Sequence, residues 1–179
     1  LLFALLGMCV LASATDFLTA FVGLELMTIS FYILVGARMS SANSSEAAVK
    51  YLVVGSASTA VMLYGISLVY GSTGSILFEE ICRNPHLLYA TSIAGITMIL
   101  IGFFFKLSVI PFHMWAPDVY QGAPTPVTAL LAMGSKAAGL AVLMRVLYTA
   151  FPMMGAYWLP ILAVFSAVCM IGGNVMAIK

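Results

Sequence analysis

The chain has 179 residues, 63% of them hydrophobic and only 7% charged, with seven Lys plus Arg against six Asp plus Glu and a formal net charge of +1. A mean hydropathy of +1.13 means more apolar surface than one small water-soluble core can hide, so the chain reads as a membrane protein. The charge balance offers no electrostatic footprint for nucleic acid, and Cys9, Cys82 and Cys169 lie far apart without a CxxC pair, which gives neither a disulfide framework nor a metal cluster of the chain's own.

The expected fold is all-α, a polytopic transmembrane helix bundle of about six spans in a single domain over 1–179. A hydrocarbon layer of about 30 Å needs about 20 apolar residues at 1.5 Å per residue, and that template sets the boundaries. Residues 1–14 form a short apolar run. Thr15 and Asp16 then supply an N-cap for a span over 17–37. Arg38 and the polar stretch 40–45 make a tight connection, with Ser44 or Ser45 before Glu46 as the start of a span over 46–70. Residues 71–85 carry Glu79, Glu80, Arg83, Asn84 and Pro85 and read as an extramembrane loop, followed by a span over 87–110. Residues 111–126 hold Pro111, Pro117, Pro124 and Pro126, each removing a backbone donor, so that span is broken there. Two more runs, 127–150 and 157–177, follow, with 151–160 as an aromatic and proline-bearing turn at the interface. Because the chain opens at Leu1 inside one apolar run and stops at Lys179 just past another, it is expected to be an internal piece of a larger protein. Arg38 and Lys50 flank one connection and Lys179 falls on the same side by counting spans, while Glu79 and Glu80 lie opposite. That puts the Arg38 loop in the cytoplasm or matrix, with Arg83 dissenting.

In so uncharged a chain the informative residues are Glu25, Lys50, Lys106 and Lys136, each inside an apolar window where a charge costs about 2.5–3.5 kcal/mol at the bilayer centre. Glu25 is too short to snorkel. Lys50 is near its helix start, so a snorkelling lysine competes with a functional one. Counted from the shared loop, Glu25 lies about 18 Å deep and Lys50 about 6 Å, and a pair between them needs helix tilt or a long lysine reach. Lys106 falls just before the proline break, where water and unwound carbonyls can enter, and a lysine desolvated between helices can exchange its proton when a neighbouring charge changes. Lys136 is bracketed by Gly134, Ala137, Ala138 and Gly139, small residues that allow close helix approach, and can face Lys106 across the break. His113 can pass protons between the two lysines, or can be a hydrogen-bonded structural histidine. His86 has no assigned role, Arg145 snorkels or pairs near a helix end, and Asp118 is expected to cap the second half of the broken helix. The many Met, Phe and Tyr residues read as packing and interfacial anchoring. On chemistry alone this is a proton path around a discontinuous helix, with no HExxH or GxSxG to suggest a hydrolase.

The segments Gly23-Leu24-Glu25-Leu26, Glu46-Ala47-Ala48-Val49-Lys50-Tyr51 and Phe105-Lys106-Leu107-Ser108, running into Pro111-Phe112-His113-Met114-Trp115-Ala116-Pro117-Asp118-Val119-Tyr120-Gln121-Gly122-Ala123-Pro124-Thr125-Pro126, closely resemble the subunit N (subunit 2 type) family of proton-pumping NADH:quinone oxidoreductase, respiratory complex I. The resemblance covers essentially the whole chain. It implies an antiporter-like subunit of fourteen helices, of which this fragment looks like the fourth to ninth. It further implies that Glu25 is the fifth-helix glutamate, Lys50 the sixth-helix lysine that modulates it, Lys106 the central lysine of the broken helix and Lys136 the lysine of the connecting route, while the exit-side residue lies beyond these 179 residues. No cofactor is expected in this chain: NADH, FMN, iron-sulfur clusters and quinone fall to other subunits. The implied partners are neighbouring antiporter-like and small membrane-arm subunits and the lipid bilayer, in a mitochondrial inner, bacterial plasma or thylakoid membrane. Alternatives are a subunit of a multi-subunit cation/proton antiporter, favoured less by the Asp118–Pro124 wording, and a purely structural subunit whose charges hold helices together.

Overall fold

A computed structural model describes residues 1–38 and 40–178. Helix α1 (Leu2–Ser13) and helix α2 (Phe17–Val35) form an antiparallel hairpin. Asp16 caps α2 as its sequence suggests, its Oδ1 accepting the Thr19 amide at 2.8 Å. Helix α3 (Ala42–Thr73) starts earlier than expected, after Ser41. Ser44 does not cap it. Its hydroxyl is buried and donates to the Val35 carbonyl at 2.6 Å, satisfying an otherwise orphaned group in the last turn of α2. The C-terminus of α3 closes on Gly74 at φ 73, whose amide bonds the Tyr70 carbonyl at 2.7 Å.

The expected loop contains helix α4 (Phe78–Cys82) and a 3-10 turn at Pro85–Leu88. It is tied to the α1–α2 turn by Phe17 N to Ile76 O at 3.1 Å and Phe78 N to Thr15 O at 3.2 Å. Helix α5 (Ala90–Leu107) therefore begins later than 87, because Pro85 opens the 3-10 turn and Tyr89 is extended. It also ends before Ile110. Ser108 adopts φ 56, with Ser108 N bonding Phe105 O at 3.0 Å and Val109 N bonding Phe104 O at 2.9 Å. That pattern is a Schellman stop, reinforced by Pro111, whose ring disfavours a helical residue before it.

After the break come helix α6 (Trp115–Gly122), helix α7 (Thr125–Leu130), a π turn at Leu131–Ser135, helix α8 (Lys136–Arg145), a second π turn at Val146–Ala150, and a 3-10 turn at Pro152–Met154. Helix α9 (Gly155–Ile178) then runs through Pro160, so the interfacial turn expected over 151–160 is only its first part. A membrane helix tolerates the missing donor better than a water-exposed one. Five stretches are long and apolar enough to cross a membrane, namely Phe17–Val35, Ala42–Thr73, Ala90–Leu107, Thr125–Ala150 and Pro152–Met176, while α1 is shorter. Lys179, used in the orientation argument, lies outside the described residues.

Helices α3 and α5 cross closely. A Cβ on Gly65 would sit 2.6 Å from the Gly95 carbonyl, and one on Gly95 2.7 Å from the Gly65 carbonyl. Backbones that approach this closely need small residues, the usual device where lipid gives no hydrophobic drive for helix association. The hairpin of α1 and α2 packs beside this pair, and α6 lies along α3. The broken helix is thus held inside the bundle, and its ends carry the candidate site.

Candidate functional site

Lys106 is only 5% exposed. It sits in the last turn of α5, at the negative end of that helix's dipole. Its Nζ donates to Thr28 Oγ1 on α2, and the Thr28 hydroxyl in turn donates to the Leu24 carbonyl at 2.6 Å, which leaves its lone pairs facing the lysine. Thr28 follows Glu25 by one helical turn and shares its face. Glu25 makes no ion pair to Lys106 within 4.0 Å, and among the described residues its buried Oε1 has no hydrogen-bond partner. Lys106 Nζ also lies 5.9 Å from the Tyr51 ring centroid, within cation–π range.

Lys50 is not paired with Glu25. It is half-exposed and bonds two carboxylates, Glu46 one turn earlier and Asp118 on α6, both at 2.8 Å. Asp118 accordingly does not cap the broken helix. The residue preceding α6 is Met114, no side chain caps it, and Asp118 lies in the first turn with its carboxylate turned to α3. Lys136 begins α8 directly after a π turn and is half-buried, with Nζ 5.6 Å from the Tyr120 ring centroid and no ion pair among the described residues. Such π turns are common at functional positions, since they re-aim one side chain without ending the helix. His113 lies in the non-helical stretch, and its Nδ1 is buried without a partner among the described residues. Arg145 pairs with backbone, donating to Ser13 O at 3.2 Å and Ala14 O at 3.3 Å at the end of α1.

Between Lys106 and Lys136 runs a row of aromatic rings that composition alone assigned to packing. Tyr51 stacks on Trp115 at 4.7 Å and 9°, and Trp115 meets Tyr120 edge-on at 6.1 Å. Trp115 Nε1 donates to Phe105 O at 3.0 Å, so the same indole also secures the end of α5. Thr28, Tyr51, Trp115 and Asp118 are the site residues that sequence reasoning missed. A hydroxyl one turn from a membrane glutamate was the available signal for Thr28; the others depend on which helices meet. Among the described residues no group of three His, Cys, Asp or Glu side chains is placed to hold a metal ion.

Residues 14–179 match the family described as NADH:quinone oxidoreductase/Mrp antiporter, transmembrane. The chain belongs to that family. It is 53% identical to NADH-quinone oxidoreductase subunit N of Heliobacterium modesticaldum over 179 residues, covering 99% of this chain and 38% of that protein. Its fold superposes with TM-score 0.83 and 37% identity on a chain of respiratory complex I from Thermus thermophilus with bound aureothin, covering 98% of this chain and 38% of that one. A chain of the Mrp complex from a Dietzia species gives TM-score 0.84 at 23% identity, over 96% of this chain and 32% of the other, a likeness of fold. The chain spans between about a third and two fifths of the length of these relatives.

Proposed function

We propose that this chain is part of a proton-translocating membrane-arm subunit of NADH:quinone oxidoreductase, of the subunit N type, and that it converts a charge change relayed along the membrane into proton movement. The observation that carries this is Lys106, buried at the interrupted end of α5 and bonded to the hydroxyl of Thr28, one helical turn from Glu25 on α2. A buried cation with so little fixed compensation responds strongly to any change of charge nearby. When Lys50 moves toward or away from Glu25, the field at Lys106 changes, and a proton leaves Lys106 toward Lys136 along the unwound segment that holds His113. A fresh proton then restores Lys106. The redox groups, NADH, FMN, iron-sulfur clusters and quinone, belong to other subunits of the same complex, in a bacterial plasma membrane or another energy-coupling membrane.

The test is Lys106→Ala in the intact complex, with assembled complex, quinone-linked NADH oxidation and proton pumping measured in the same vesicles. Assembly is retained while pumping and coupled turnover fall together. Unchanged activity per assembled complex refutes the reading. The family also includes Mrp antiporters, and the second reading is an antiporter subunit using the same residues without a redox partner. The 53% identity to a subunit N supports the first reading, and copurification with iron-sulfur proteins separates the two.

A further inference from the structure

Helix α6 has only eight residues and no helical continuity with its neighbours: Ser108 to Met114 precede it and Ala123 with Pro124 follow. Its position is therefore set by side chains, and it packs chiefly on α3. Three contacts line up along one antiparallel seam. Trp115 stacks on Tyr51, Asp118 bonds Lys50 at 2.8 Å, and Gly122 comes so close that a Cβ there would lie 2.5 Å from Ala47 Cβ and 2.7 Å from the Asn43 carbonyl. On α6 these positions recur every three or four residues, and on α3 Asn43, Ala47 and Tyr51 recur every four with Lys50 beside Tyr51, so each set lies on one side of its helix.

An isolated half-exposed ion pair contributes little. This one differs in its place. Lys50 directly precedes Tyr51, whose ring lies under the Lys106 ammonium, and Asp118 is one turn from Trp115, which holds both Tyr51 and the Phe105 carbonyl beside Lys106. The pair also opens on a polar pocket of about 200 Å³ lined by Asn43, Glu46, Lys50, Asp118 and Gln121, which is roomy enough for water and lets the ammonium change partners without entering hydrocarbon. The other acceptor on that pocket is Glu46, one turn earlier on α3 and also 2.8 Å from the Lys50 ammonium.

We propose that Asp118 is a positioning residue of the proton path: while it holds the Lys50 ammonium, it locks α6 against α3 so that Trp115 and Tyr51 are set against Lys106. Release of Lys50 from Asp118 then loosens the short helix at the moment the charge near Lys106 changes, coupling the input lysine to the central one through a mechanical seam as well as through the field. This rests on the proton-translocating reading given above.

The experiment compares Asp118→Asn, Asp118→Glu, Lys50→Met and the double variant Asp118→Asn with Lys50→Met in the intact complex, with Lys106→Ala alongside. Asp118→Asn assembles normally and loses roughly three- to tenfold in coupled turnover and pumping per assembled complex, the range of couplings carried by packed networks. Asp118→Glu restores most of that loss, and the double variant is no worse than Lys50→Met alone, as expected for residues acting as one unit. If Asp118→Asn turns over normally while Lys106→Ala is impaired, the inference falls and the proton-path reading stands. If Asp118→Asn reduces the amount of assembled complex instead of its rate, Asp118 is a structural tie and the inference also falls. Normal turnover in Lys106→Ala overturns both.

Discussion

The sharpest consequence concerns Thr28, which no charge count would single out. Thr28→Val keeps the shape of the side chain and removes its oxygen. The Leu24 carbonyl that accepted the hydroxyl proton at 2.6 Å is still part of the α2 ladder, so α2 is little disturbed. Lys106 is affected far more. At 5% exposure its Nζ has Thr28 as its one hydrogen-bonding side chain among the described residues, and the valine variant leaves it facing the Tyr51 ring, 5.9 Å from the centroid. A hydrogen bond to a charged group contributes about 1.5–3 kcal/mol, which is roughly a tenfold or greater change in the population of the ammonium held in place. Coupled NADH oxidation and dye-detected acidification of vesicles, each normalised to assembled complex, are expected to fall by about tenfold in Thr28→Val. Thr28→Ser, which returns the oxygen and gives up a methyl group, is expected to recover most of the rate. Full activity in the valine variant, or a serine variant as impaired as the valine one, refutes the claim that this hydroxyl positions Lys106.

Two further outcomes test the packing around that lysine. Trp115→Phe retains a ring against Tyr51 but loses the indole donor to Phe105 O, a bond of 3.0 Å. The cost is about 1 kcal/mol, read as earlier thermal inactivation of the complex; unaltered inactivation shows that the end of α5 is held by its own turn. Gly65→Ala places a methyl 2.6 Å from the Gly95 carbonyl, whereas Gly71 has nothing within 4 Å of the same atom. Gly65→Ala is thus expected to cost about 1–3 kcal/mol and lower the yield of assembled complex, Gly71→Ala to leave it unchanged, and equal yields refute the close crossing of α3 on α5.

What could be read from the sequence follows from the range of each interaction. The spans were legible because lipid imposes length and composition on each one separately, and the break because proline acts on its own backbone. The local stop that ends α5 was misplaced by a few residues: the Schellman turn centres on Ser108, a non-glycine residue at φ 56 that no propensity rule would choose. The Asp16 cap was legible, whereas Ser44 was misread because its hydroxyl serves a carbonyl nine positions away, at the end of another helix. The functional cluster divides in the same way. Lys106 and Glu25 stand out because charge is costly in hydrocarbon, but their surroundings do not. Thr28 and Asp118 meet their lysines across separations of 78 and 68 residues, and only the assembled bundle brings them together.

These long-range contacts also explain why the helix breaks where it does. Were α5 continued past Leu107, the negative end of its dipole would move away from Lys106. Stopping at Ser108 leaves Lys106 in the final turn, beside that negative end, and frees the chain to swing Trp115 back onto Phe105 O. The tryptophan then brings Tyr51 of α3 with it, and α3 brings Lys50. One interruption therefore supplies the lysine with partial negative charge from backbone alone, leaving Glu25 without a fixed partner within 4.0 Å and Lys50 bound elsewhere. A permanent carboxylate partner for Lys106 would hold its charge fixed. Dipole, hydroxyl and ring stabilise it less rigidly, which is what the proposed proton path requires of Lys106 if its proton is to respond to where the Lys50 ammonium goes.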